Sequence, residues 1–347
     1  MSSLITWVAT WRWPSTTLNI FARRWWHWLA AIGLGALMLA APVSAQTSYP
    51  NKPIRLVIPF PPGGATDIIG RSLALKLSTA LGQQVVVDNK PGAGGVIGAD
   101  IAAKAAPDGY TLVLATSSTH SIGPAMNARM PYDAVRDFIP VVNVANAPSV
   151  LVVGASFPAQ TVGELVSLMK QHPGRYNFGS SGIGTYPHLT AEMFKWRAGN
   201  LFAVHIPYRG TGLVITDLVA GQIAFLMDSV VSAQSHIRDG KVRPLAVSGR
   251  QRIASLPQVP TFAEAGISGM EISNWFGILA PAGTPADVIQ RINREVNTAV
   301  KSPDLVERLQ RVGAEPAGGT PELLRDTLRA EYESWKTLIT RLGLKPD

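Results

Sequence analysis

From Ile54 onward, short apolar runs alternate with segments whose apolar residues recur every three or four positions. The first run, Ile54 to Ile58, is β-branched and compact, as a strand covered on both faces should be. Pro59, Pro61 and Pro62 end it, because they fix φ and remove backbone donors. Gly63-Gly64 then lets the backbone turn, and Ile69, Leu73, Leu77 and Ala80 mark one face of a helix. The order repeats with a strand over 84–88, a turn over 89–95, a helix over 96–105 and a strand over 111–115. A βαβαβ order predicts a parallel sheet with right-handed crossovers.

A second array opens at Val150 to Val153. Thr161 and Glu164 form a capping box for a helix to about Lys170. A strand over 175–178 runs into the turn 179–188, and a helix follows to about Trp196. Next come a strand over 203–207, the turn Tyr208-Arg209-Gly210, a helix over 212–220, and a strand over 223–227 ending at Asp228-Ser229. Strands over 244–248 and 271–280 and helices over 285–300, 303–312 and 320–342 complete the chain. The pattern predicts an α/β protein of two lobes with a crevice between them, the first lobe completed by the C-terminal return. The expected division is 46–148 for the first part of lobe 1, 149–273 for lobe 2 and 274–347 for the return.

Residues 1–45 read as an export signal. Arg23 and Arg24 precede an apolar run from Trp28 to Ala41, and Val43-Ser44-Ala45 is a small-x-small cleavage pattern. The run is short for a membrane span, so cleavage after Ala45 and a periplasmic location are expected. The net charge of +8 becomes +5 once Arg12, Arg23 and Arg24 are removed. The remaining basic residues are scattered singly, which argues against nucleic acid. The chain has no cysteine, hence no disulfide and no thiol chemistry.

Enzyme signatures fail one by one. Gly92-Ala93-Gly94 lacks the third glycine of a dinucleotide fingerprint, Ile97 standing in its place. Gly179-Ser180-Ser181-Gly182 brings its second glycine one residue too early for a nucleophile elbow. The six histidines show no metal-ligand spacing, so neither a metal nor a cofactor is expected. Acid–base chemistry from Asp67, His188 or Asp228 stays open at this point.

The candidate chemistry lies in neutral turns. Gly63-Gly64 feeds a helix N-terminus, where free N–H groups and the positive end of the dipole converge; an anion cradle and a plain strand-to-helix turn both fit. Ser180, Ser181 and Gly182 offer donors in the second array, and Ser117 and Thr119 offer them after the third strand; each hydroxyl could equally cap its own turn. Asp67 and Asp228 are placed to orient these turns, Phe60 to wall the apolar part of a ligand, and Arg209 to stand on the rim or in solvent. His188 reads first as a packed or capping histidine, Trp275 and Phe276 as core.

The chain resembles the periplasmic solute receptors of tripartite tricarboxylate transporters, the Bug or TctC-like proteins. The resemblance is carried by Tyr49 to Arg55, Pro62-Gly63-Gly64-Ala65-Thr66-Asp67, Asn89 to Gly95 and Asp108 to Leu112. It continues through Gly179 to Gly184 with His188-Leu189, Pro207 to Gly210, Leu256 to Thr261, Glu264-Ala265-Gly266 and Trp275-Phe276-Gly277. It implies a type II-like Venus flytrap fold that closes on a small organic carboxylate without an arginine salt bridge. One carboxylate would be held by the turn from Phe60 through Pro62, Gly63 and Gly64 to Asp67. The facing lobe would add Ser180, Ser181, Gly182, Gly184, His188 and the Tyr208-Arg209-Gly210 turn. Gly123 departs from the asparagine frequent in relatives, which leaves the share of the third-strand loop open.

The expected protein is therefore a monomeric, non-enzymatic receptor. Its partners would be a small organic anion and the membrane permease of a tripartite transporter. Hinges are expected near 146–150 and 272–275. A carboxylate sensor feeding a signalling kinase is the alternative, a small-molecule enzyme the more distant one.

Overall fold

Residues 9–10 and 49–345 are described by a computed structural model; the apolar run and cleavage pattern of the expected export signal lie outside them. β1 (Ile54–Ile58) leads into α1 (Ala65–Leu81), β2 (Val85–Asn89), α2 (Val96–Ala103) and β3 (Thr111–Thr116). β1 pairs in parallel with both β2 and β3, as the βαβαβ order predicts. Its apolar side chains pack against Ile69, Leu73 and Leu77 of α1, as the spacing predicts; Ala80, the fourth member of that stripe, is exposed, and Leu81 is buried instead.

After β3 the chain makes a π-helical turn, Ser118–Ile122, runs through the short α3 (Gly123–Met126), and enters β4 (Phe138–Gly154). The remaining order is α4 (Val162–Gln171), β5 (Asn177–Ser180), α5 (Tyr186–Arg197), β6 (Val204–Pro207), α6 (Thr211–Val219), β7 (Phe225–Ser229), α7 (Val230–Arg238) and β8 (Val242–Val247). β9 (Ser273–Pro281), α8 (Ala286–Ala299), α9 (Pro303–Arg311), β10 (Glu315–Pro316) and α10 (Pro321–Leu342) close the chain. At α4 the cap half of the expected capping box forms, Thr161 Oγ1 accepting from the Glu164 amide, while the Glu164 carboxylate reaches one residue further back and accepts from the Gln160 amide.

The strand path is β2-β1-β3-β9-β4-β7-β5-β6, with β8 and β10 also on β4. β4 is 17 residues long and serves both halves. It pairs antiparallel with β9 as far as Pro148–Ser273, then with β7 from Ser149–Ser229 and with β8 from Val150–Val247. One apolar core lies around β1, α1 and α8, and another gathers Leu151, Phe178, Phe194 and Phe225. A smaller cluster joins Ile122 and Met126 to Tyr186 and Leu189 and to Trp335 and Ile339 of α10. Among the described residues, no helix is long and apolar enough to cross a membrane.

Candidate functional site

Several helix starts converge on one crevice of about 50 Å³. From the half containing β1 it is walled by Phe60, Pro61, Pro62, Gly64, Ala65 and Thr66, by Thr116 and Ser118 beyond β3, and by Asn274 and Phe276 of β9. From the half containing β7 come Ser181, Tyr186, Pro187, Gly210, Thr211, Gly212, Asp228 and Ser229. These residues begin α1, α5, α6 and α7. The first turn of a helix carries amides without intrahelical partners and the positive end of the macrodipole.

Among the described residues, no side chain caps α1 at Gly64 or α6 at Gly210. The other two starts are occupied. Ser118 Oγ accepts from the Tyr186 amide at 2.9 Å, so α5 is capped by a residue from the opposite wall. Ser229 Oγ accepts from the Val231 amide within α7. The turns before α1 and α6 touch: a Cβ at Gly210 would lie 2.6 Å from Pro61 Cγ. A second close approach lies at Gly94, whose Cβ would be 3.0 Å from Ile183 O.

Of the residues singled out in the sequence as ligand contacts, Phe60, Pro62, Gly64, Ser181, Gly210 and Asp228 line this crevice; Gly63, Asp67, Ser117, Thr119, Ser180, Gly182, Gly184, His188, Tyr208 and Arg209 do not. Asp67 turns back on its own turn. Its carboxylate accepts from the Gly63 amide at 3.0 Å, from Arg71 Nε at 2.9 Å and from Asn89 Nδ2 at 2.9 Å. Burial raises its pKa, but these donors outweigh burial and hold it below the usual carboxylate range. Ser117 Oγ donates to Glu331 at 2.8 Å, and Thr119 Oγ1 donates to Thr116 O. Ser180 Oγ accepts from the Gly182 amide and lies 2.6 Å from His205 Nε2. His188 accepts from the Gly184 amide and stacks on His205 at 3.9 Å. Burial, with His205 and Lys195 nearby, pushes its pKa down to about 3, so it braces the turn as a neutral ring. Tyr208 donates to Asp217 at 2.6 Å, and Arg209 is exposed.

Thr116, Ser118, Thr211, Asn274 and the aromatic wall Tyr186 are not named as ligand contacts by sequence reasoning, and Phe276 reads there only as core. Thr116 is 1 % exposed, and its hydroxyl has no hydrogen-bond partner among the described residues. Trp275 is buried as expected of core; Phe276 is buried and also faces the crevice.

Among the described residues, no Lys, Arg or His lines the crevice, and its one carboxylate is Asp228, 3 % exposed. Burial raises the Asp228 pKa to about 6 against the hydrogen bonds from Ser232, the Ser229 amide and Thr211. A carboxyl with a raised folded pKa favours the protonated state, so its contribution to stability falls as pH rises from about 4 through about 6. Asp228→Asn lacks that titration. Its stability relative to the native chain should therefore increase with pH across this window, by on the order of 2–3 kcal/mol. Urea unfolding of both proteins at pH 4.5 and pH 7 measures the difference; an equal gap at both values would refute the titration.

Residues 69–344 match the sequence profile of the tripartite tricarboxylate transporter family receptors. BugT of Bordetella pertussis is 39% identical over 320 residues, which cover 91% of this chain and 98% of BugT. The structure of Rpa4515 from R. palustris with adipate superposes with a TM-score of 0.84 at 34% identity, covering 86% of this chain and 100% of that one. MatC of Rhodopseudomonas palustris with bound malate superposes at 0.80 with 30% identity, covering 84% of this chain and 100% of that one. Two lobes meeting at a crevice of helix starts are thus the fold of a periplasmic solute receptor, and the chain belongs to the tripartite tricarboxylate transporter receptor family.

Proposed function

We propose that this chain is a periplasmic receptor that closes two lobes on a small organic carboxylate and delivers it to the permease of a tripartite transporter. The observation that carries the reading is the pair of uncapped helix starts, α1 and α6, on one crevice that no basic side chain lines among the described residues. Amides fixed in a helix hold a carboxylate without the desolvation that a buried arginine would bring. Adipate and malate in two relatives support the same ligand class.

In this reading the lobes are 49–148 with 274–345, and 149–273. They hinge where β4 passes from β9 to β7 at Pro148–Ser149 and where β9 begins at Ser273. Gly64, Thr116, Ser181 and the backbone amide of Thr211 donate to the cargo, the Thr211 hydroxyl being engaged by Asp228, and Phe60 and Phe276 wall its carbon chain. Asp67, Ser180 and His188 hold the turns in shape behind them.

A thermal-shift panel of mono-, di- and tricarboxylates on the chain from Gln46 tests the reading. A true cargo at 100 times its Kd adds about 2.7 kcal/mol of stability, a clear rise in Tm. No rise across the panel would sink the carboxylate assignment. Gly64→Val tests the cradle. The nearest atom to a new Cβ is Pro61 O at 3.8 Å, so the side chain fits yet covers the amides. Affinity by calorimetry should drop about tenfold or more, the scale of losing one charged hydrogen bond, with the Tm of the free protein little changed.

A further inference from the structure

The crevice makes two opposite electrostatic demands. The uncapped starts of α1 and α6 favour negative charge, while Asp228 brings a buried carboxylate to the same wall. Asp228 accepts from the Ser229 amide at 2.8 Å, from Ser232 Oγ at 2.7 Å, and from the Thr211 hydroxyl. A carboxylate has room for about four donors, so these three leave capacity for one more, and Asp228 lines the crevice. Among the described residues, no cation lines the crevice to neutralise it.

Cargo whose only polar groups are carboxylates sets like charges side by side in a site that closure shields from water. Cargo that carries an N–H or O–H donor beside its carboxylate satisfies both walls at once. We propose that Asp228 is the specificity-determining residue of the crevice, selecting small carboxylates with an ammonium or hydroxyl group near the carboxylate, the ammonium before the hydroxyl. This rests on the carboxylate reading above and narrows it to amino and hydroxy acids. With its pKa at about 6, Asp228 is ionised at neutral pH, which is why the cationic donor ranks first.

A purely structural Asp228, capping α7 and tying it to α6, would affect every ligand alike. The ranking of ligands is therefore the readout. Two matched series serve: propionate, lactate and alanine; and succinate, malate and aspartate. Calorimetry at pH 7.5 is run on the chain from Gln46 and on Asp228→Asn. In the native protein the amino and hydroxy members of at least one series should bind about tenfold or more tighter than the unsubstituted member, the scale of a charged hydrogen bond. In Asp228→Asn that preference should shrink to about threefold or less, with the unsubstituted member bound as well as before or better. Identical rankings in the two proteins, or no binding of any of the six, would overturn the proposal. If the wider carboxylate panel still raises Tm while these rankings stay flat, the receptor reading stands and the role of Asp228 alone falls. Should Asp228→Asn fail to fold, the native ranking decides, since a preference for succinate and propionate overturns the proposal by itself.

Discussion

Gly210→Val should abolish carboxylate binding while leaving the free protein folded. Gly210 starts α6 with φ of 119°, a region costly for a side chain, and a Cβ there would lie 2.6 Å from Pro61 Cγ and 3.1 Å from Pro61 Cδ. Pro61 belongs to the turn before α1, so the collision falls between the two uncapped helix starts. Neither partner yields easily, because proline is rigid and the backbone at Gly210 leads directly into a helix. The walls must stay apart, and amides that act together on one carboxylate then act separately on a hydrated one. Water readmitted to the crevice weakens each remaining hydrogen bond. The backbone strain should lower the stability of the free protein by about 1–3 kcal/mol. Affinity should fall by at least about a hundredfold, two hydrogen bonds to a charged group being lost together. Calorimetry with the best carboxylate of the panel measures the affinity, and small-angle scattering measures the closure. Native affinity in this variant would remove the Pro61–Gly210 contact from the binding mechanism.

Most elements could be read along the chain because apolar runs are bounded by Gly and Pro, and those bounds lie within a few residues of the observed ones. β4 was the main exception. Only Val150 to Val153 looked like a strand, yet β4 begins at Phe138. Pro140, Asn143, Asn146 and Pro148 interrupt the pattern, and the pairing with β9 absorbs them through register shifts after Pro140 and after Asn143. α7 was missed because it starts at the residue after β7, with no Gly or Pro between, and Val230-Val231 reads as more strand. At the site, the Gly-rich turns were visible because backbone access leaves a mark on composition. The choice among neighbouring hydroxyls was not visible. Thr116, Ser117, Ser118 and Thr119 are chemically alike, and the π-helical turn decides their fates: Thr116 and Ser118 line the crevice, Ser117 turns to Glu331, and Thr119 turns back to β3. Glu331 lies 214 residues from Ser117, a pairing that no local pattern reports.

That pairing yields the other large effect. Glu331 projects from α10, and its Oε2 accepts from Ser117 Oγ at 2.8 Å and from Trp275 Nε1 at 2.7 Å. Both donors are buried, Ser117 at 0 % and Trp275 at 2 % exposure. The Ser117 amide in turn donates to Asn274 Oδ1, and Asn274 lines the crevice. The last helix thus fastens the crevice floor through one carboxylate oxygen. Glu331→Ala strands a hydroxyl and an indole N–H without partners, each costing about 1–3 kcal/mol, so stability should drop by about 2–5 kcal/mol. Glu331→Gln keeps a carbonyl oxygen for both donors and should stay within about 1 kcal/mol of the native chain at pH 7. Burial raises the Glu331 pKa against the hydrogen bonds from Ser117 and Trp275. The native carboxylate therefore loses stability as pH rises through its folded pKa, and the glutamine variant, which does not titrate, gains relative to it in the same direction. Urea unfolding of the three proteins at pH 5 and pH 7.5 reads both effects. Equal losses in the alanine and glutamine variants would mean that the negative charge, and not the shared acceptor oxygen, holds the floor to the helix.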